Sequence, residues 1–208
     1  MVNFKITLTD FIQSVLSVGA NKIVHTNQII NRGPYKPEKD FYLIARNFIT
    51  RQTRNGDLDL GRDEIKELIR GVNPKKKKHF ESLLVGYNRF LKTSKCTRLF
   101  IPTKKLWGYD DLIISVNPEV GVEIDGKITV IKLHLKCQNL EKNSSELSLT
   151  LMREVYPKDY EVAILDVRKG RLIKYNPRFS HINMMALLRL EANTFIDLWK
   201  QLSNSSAA

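Results

Sequence analysis

The chain has 208 residues, with 34 Lys plus Arg against 22 Asp plus Glu, giving a formal net charge of +12 and a pI near 9.7. With 42% hydrophobic and 27% charged residues it has an ordinary globular composition and enough length for one large domain or two small ones. The longest apolar runs, such as Leu112-Ile113-Ile114, fall far short of the roughly 20 residues a membrane span needs, so no membrane partner is expected. Met1-Val2-Asn3-Phe4-Lys5 lacks the apolar stretch of a signal peptide, and two cysteines, Cys96 and Cys137, are too few for a disulfide framework or a four-ligand zinc site. Reduced thiols and a cytoplasmic location are the expectation.

Residues 8–18 read as a first helix, capped by Thr9, with Phe11, Ile12, Val15 and Leu16 on one face and Gly19 at its end. Residues 38–52 read as a second, opened by Pro37. After an Asn55-Gly56 turn, 62–70 form a short helix, and Asn73-Pro74 opens another to about Lys92, with Phe80, Leu83, Leu84, Tyr87, Phe90 and Leu91 inward. From Cys96 the pattern changes. Residues 97–101, 111–116, 119–124, 128–136 and 161–167 are short, β-branched runs, predicted as strands. Asp125-Gly126 between two of them is a hairpin signal, because a type I′ turn needs positive φ at both central residues. A helix over 145–155, a hairpin at Lys169-Gly170 and a final helix from a Ser180 cap to about Leu202 complete the pattern; its predicted inward residues are Met184, Leu187, Leu188, Ala192, Phe195 and Trp199. The predicted class is α/β or α+β: a mostly helical region over 1–92, a mixed-sheet core over 93–203 flanked by helices, and a disordered tail at 204–208.

A chain this basic concentrates polyanions by its field alone. Nucleic acid, DNA or RNA, is the leading expectation; an acidic protein, a lipid surface, or merely a basic solubility surface are the alternatives. Two local features sharpen the expectation. Lys75, Lys76, Lys77 and Lys78 fall in the first turn of a helix, where the macrodipole already presents positive charge, and read as phosphate contacts or as a solvated turn. In the strand Thr129–Lys136, alternation places Val130, Lys132, His134 and Lys136 on one face and Thr129, Ile131, Leu133 and Leu135 on the other. The cationic face is either a phosphate-binding surface or the solvent side of an edge strand. Trp107-Gly108-Tyr109 could stack on bases but more simply closes a loop over the core. Cys137 stands beside Lys136, and His25 and His181 are isolated.

Asn117-Pro118-Glu119, a strand, Asp125-Gly126-Lys127, then Val130 to Lys136 resembles the core of the PD-(D/E)xK nuclease superfamily. The resemblance covers about residues 74–175, in helix–meander–helix–strand order. It implies a restriction-endonuclease-like core in which two carboxylates hold magnesium and a lysine helps activate water. Pro118-Glu119 stands for the first motif. His134-Leu135-Lys136, fifteen residues beyond Glu119, or Lys132-Leu133-His134, stands for the second. Neither register supplies the second carboxylate. The resemblance thus implies Glu119, His134 and Lys136 as remnants of catalytic residues. Glu119 with Glu123 would hold magnesium or manganese, and Asp110-Asp111 or Asp166 are other acids that could substitute. His79 or Glu81 would be the residue contributed by the preceding helix. The expected function is nucleic-acid binding on a nuclease-like core whose catalysis is weak or lost, with Lys132 also on phosphate. The alternatives are an active metal-dependent phosphodiester hydrolase with a rearranged site, and a non-enzymatic protein-interaction module.

Overall fold

The structure, a computed structural model, describes residues 4–59, 61–178 and 181–205, without the side chains of Arg62, Lys75 and Ser205. Within these residues the chain is mixed α/β, with seven α-helices and two mixed sheets. The predicted Ser180 cap lies outside the described residues.

The larger sheet is built around the Asp125-Gly126 turn. Both residues take positive φ, 50° and 73°, and the strands β5 (Val120–Ile124) and β6 (Lys127–His134) pair antiparallel from Ile124 opposite Lys127 outward. Strand β2 (Cys96–Phe100) joins the free side of β5. Strand β7 (Glu161–Asp166) lies parallel to β6, and β8 (Arg171–Lys174) closes the order β2-β5-β6-β7-β8. A parallel β6–β7 pair requires a crossover. Helix α6 (Lys142–Val155) supplies it. A smaller sheet has the order β1-β4-β3, where β1 is Phe4–Thr7, β3 Lys105–Tyr109 and β4 Leu112–Val116.

Strand β6 is therefore interior, not an edge. It is buried on both faces, and this separates two cores. Ile131, Leu133 and Leu135 join Val120, Val122, Ala163 and Leu165 beneath α3 (Leu43–Asn55), α4 (Arg62–Arg70) and α5 (Pro74–Thr93). Val130 joins Val162 and Ile164 on the opposite side, with α1 (Leu8–Leu16), α6, α7 (His181–Ser205) and the small sheet. Helix α6 packs against β7 and also against β3 and β4. Its buried residues, Ser145, Leu147, Leu149, Thr150, Leu151 and Met152, run nearly all round it, as a helix between two layers requires.

Several boundaries differ from the sequence expectation. Helix α2 (Ala20–Ile30) has no apolar stripe: it buries His25 and Thr26 with Ile29 and exposes Ile23 and Val24. The expected 38–52 helix starts at Leu43, because Pro37–Lys39 form a separate 3-10 turn and Asp40 accepts from Tyr42 N. Trp107 and Tyr109 belong to β3, and Asp110-Asp111 is the β3–β4 turn. Leu187 on α7 is 40% exposed rather than inward, and α7 runs through Ser205, so the tail expected to begin at 204 is helical at its start.

Helix α5 approaches the sheet at Gly86. A Cβ built there would lie 2.0 Å from the Val167 carbonyl oxygen and 2.6 Å from that of Arg168. Only glycine lets the helix backbone rest on the β7–β8 turn, at the carboxyl end of β7, while His79 near the start of α5 meets Cys137 just beyond the carboxyl end of β6.

Candidate functional site

Those carboxyl ends are where open α/β sheets generally place their ligands. Glu119 directly precedes β5, and Lys132 is opposite it on β6. Lys132 Nζ lies 2.5 Å from Glu119 Oε1 and also donates to the Asn117 carbonyl at 3.4 Å. The second carboxylate oxygen, Oε2, accepts from Leu133 N at 2.9 Å. The pair is largely buried, with 11% of the Glu119 side chain and 21% of the Lys132 side chain exposed. Glu119 thus has both oxygens engaged, one by a cation and one by the backbone.

This arrangement bears directly on the expected metal and phosphate roles. Magnesium needs free carboxylate oxygens in a near-octahedral shell. At Glu119 it would meet an ammonium at contact distance, and the residues present do not fit it or manganese. Glu123 is not a companion ligand. Four residues separate it from Glu119, about 13 Å at strand rise, and it pairs with Arg98 at 3.4 Å. Asp166 is 3% exposed and is held by Lys169, through Nζ at 3.5 Å and through N at 3.4 Å. Asp111 pairs with Lys200 on the small sheet. No group of three or more His, Cys, Asp or Glu able to hold a metal occurs among the described residues. Lys132, turned to Glu119, is not a free phosphate contact.

The remaining expected residues do not form a catalytic cluster with this pair among the described residues. His134 is half-buried, and its Nε2 donates to the Gln138 carbonyl at 2.8 Å. Lys136 lies beyond the end of β6 and is exposed, as are Lys77, Lys78 and Glu81. Lys76 Nζ stands over the Phe41 ring at 5.1 Å. His79 Nδ1 is 3.6 Å from Cys137 Sγ, which ties the start of α5 to the chain leaving β6. Lys169 also donates to Asn139 Oδ1 at 2.7 Å. Trp107 is buried and stacked on Tyr109 at 5.8 Å, so it offers no open face to a base. His25 Nε2 donates to the Asp10 carbonyl, and His181 bridges Glu154 and Tyr175.

The Glu119–Lys132 pairing was available in the sequence. A two-residue Asp-Gly turn fixes register. Counting outward from Ile124 and Lys127 one residue at a time brings Glu119 opposite Lys132. Arg168, in the β7–β8 turn beside Tyr42 and Cys137, had no sequence signal; only the fold brings these three together.

No protein-family model matches the chain, and no curated protein matches it.

Proposed function

We propose that the chain is a nucleic-acid-binding protein on a nuclease-like core whose metal position is filled by its own lysine. The observation that carries the reading is the Lys132 ammonium seated on Glu119 at the carboxyl end of the sheet. If Lys132 is aligned with the second motif acid, the acid has become a cation. A carboxylate that would recruit magnesium is instead neutralised internally, and no charge remains to hold a metal or polarise water there.

The topology supports the reading. Helix α5, the antiparallel β2-β5-β6 set, crossover α6 and parallel β7 follow the helix–meander–helix–strand order that the resemblance implies. The electrostatics support it too. On the other face, His79 near the start of α5 meets Cys137 just beyond β6, and Lys76, Lys77 and Lys78 precede it on that helix; Lys136 follows β6, and Arg168 and Lys169 follow β7, in a chain of net charge +12. Such an end attracts phosphate backbones without reading bases.

The test is binding of a fluorescent single-stranded and a duplex oligonucleotide across salt. Binding is expected at about 50 mM salt, with log K falling linearly in log salt by roughly 0.7 to 0.9 per phosphate contact. Replacing Lys76, Lys77 and Lys78 together by Ala lowers the slope by about 2–3. No binding at about 50 mM salt, or binding indifferent to salt, refutes the reading. Cleavage of either oligonucleotide with magnesium or manganese refutes the silent site.

A further inference from the structure

Among the described residues Arg168 forms no ion pair, and its side-chain neighbour is the Tyr42 hydroxyl. The Arg168 Nε and Nη2 are sealed from solvent and have no hydrogen-bond partner among the described residues. Arginine remains charged at any ordinary pH, so this state is strongly unfavourable unless an anion completes it. Asp166, two residues before Arg168, and Asp40, two residues before Tyr42, are committed elsewhere. Asp166 is held by Lys169. Asp40 is held by Arg46 at 3.0 Å, by the Tyr35 hydroxyl at 2.9 Å and by Tyr42 N at 3.0 Å.

The two orphaned atoms have a meaning of their own. Nε and Nη2 form one edge of the planar guanidinium, with parallel N–H bonds that match two oxygens of one oxyanion. The surroundings come from three other parts of the chain. The Tyr42 hydroxyl lies against Arg168 and Cys137. Cys137 is 3.6 Å from His79, and His79 stands edge-on to Phe41 at 5.8 Å. Lys76 Nζ sits 5.1 Å from the centroid of the same Phe41 ring. This chain of contacts consists of donors, cations and rings, with no carboxylate among them.

We propose that Arg168 anchors a phosphate-binding site, with Tyr42 and His79 as its rim. The ligand takes the Nε–Nη2 edge in bidentate fashion, and the lysines at the start of α5 supply the surrounding field. Entry displaces the Tyr42 side chain, which follows the exposed 31–39 segment. The site deepens the nucleic-acid reading and rests on it only for the source of the phosphate: a nucleic-acid phosphodiester or free phosphate.

The experiment uses the full chain and inorganic phosphate, against chloride at matched ionic strength. Phosphate is expected to raise the melting temperature of the wild type. Arg168→Gln should weaken phosphate affinity about ten- to a hundredfold, the loss expected for charge-assisted hydrogen bonds. Its phosphate-free melting temperature should equal or exceed that of the wild type, because an unpaired buried charge is gone. No phosphate-specific shift in the wild type overturns the site, as does an undiminished shift in Arg168→Gln. A phosphate-free Arg168→Gln protein clearly less stable than wild type also overturns it, since Arg168 would then be a structural cation. Should Arg168→Gln fail to fold, Arg168→Lys decides: it keeps the charge without the fork, and unchanged phosphate affinity overturns the proposal. In oligonucleotide titrations, a salt slope lower by about one in the variant assigns the phosphate to nucleic acid, and an unchanged slope assigns it to free phosphate. A phosphate shift without any oligonucleotide binding would sink the nucleic-acid reading and leave this site standing.

Discussion

Replacing Lys132 by Met removes the cation from Glu119 and leaves an unbranched apolar side chain one atom shorter. The carboxylate is then 11% exposed with only the Leu133 N–H to hold it. Removing one partner from a buried pair costs about 3–5 kcal/mol. Two features reduce that here. Lys132 is one-fifth exposed, so water screens part of the attraction, and the backbone donor survives. The expected loss is about 2–3 kcal/mol, or roughly 5–10 °C in melting temperature for a chain of this size. The loss is electrostatic, so the double variant Glu119→Gln with Lys132→Met should recover most of it. A neutral amide oxygen still accepts from Leu133 N and leaves no orphan charge. Chemical denaturation of the two single variants, the double variant and the wild type gives the coupling, expected near 2 kcal/mol. Lys132→Met within about 0.5 kcal/mol of wild type would refute the reasoning, and so would a double variant that merely adds the two single losses.

Gly86→Ala places a Cβ 2.0 Å from a backbone oxygen that cannot rotate away, so α5 must lift off the β7–β8 turn. The cost should be about 3 kcal/mol or more in urea denaturation, at or above the upper end of ordinary overpacking. Gly121→Ala meets the Phe100 ring at 2.4 Å instead, and a side chain can yield, so it should cost less; equal costs would show that backbone contact is not the issue. Burial pushes the Tyr87 hydroxyl up to about 12, and Tyr87 is fully buried. The unfolded phenol ionises near 10, so the unfolded state loses its proton first. Stability present below pH 10 should therefore fall by about 2–3 kcal/mol as pH rises from 10 to 12, and Tyr87→Phe should flatten that decline. A decline of the same size in Tyr87→Phe would assign it elsewhere.

What could be read from the sequence was what local patterns encode. In α5 Phe80, Leu83, Leu84, Tyr87, Phe90 and Leu91 repeat at helical spacing and all six are buried, while Val85, off that stripe, is exposed. The Asp125-Gly126 turn announces itself by the positive φ it needs. Helix α2 was illegible because its buried side is His25, Thr26 and Ile29, a pattern without an apolar stripe. Strand β3 was illegible because Gly108 interrupts it and Leu106 faces outward. At the site, alternation along β6 was right but incomplete. It puts Lys132 and His134 on one face, yet Val130 on that same face is core, because α6 covers the lower half of the strand. A strand pattern states which residues share a side, not what covers that side. Glu119 shows the same limit: its neighbour across the hairpin decides its chemistry, and the motif around it does not.

The small sheet has a consequence for how the chain acquires its shape. Strand β1 pairs in parallel with β4, Phe4 opposite Leu112 and Thr7 opposite Ser115. Phe4 and Ile6 therefore have no partner strand until more than a hundred further residues have been made. At synthesis rates of about 5–20 residues per second, that is a wait of roughly 5–20 s. The large sheet makes a similar demand, since β7 must arrive beside β6 through a crossover. Local helices and the Asp125-Gly126 hairpin can form early, but both sheets are completed by distant segments. Such non-local closure is entropically slow. The emerging chain thus holds its first strand, with buried-type residues at every second position, unpaired on the ribosome. Lys5 and Thr7, the exposed positions of that strand, are the only polar side chains it offers water meanwhile.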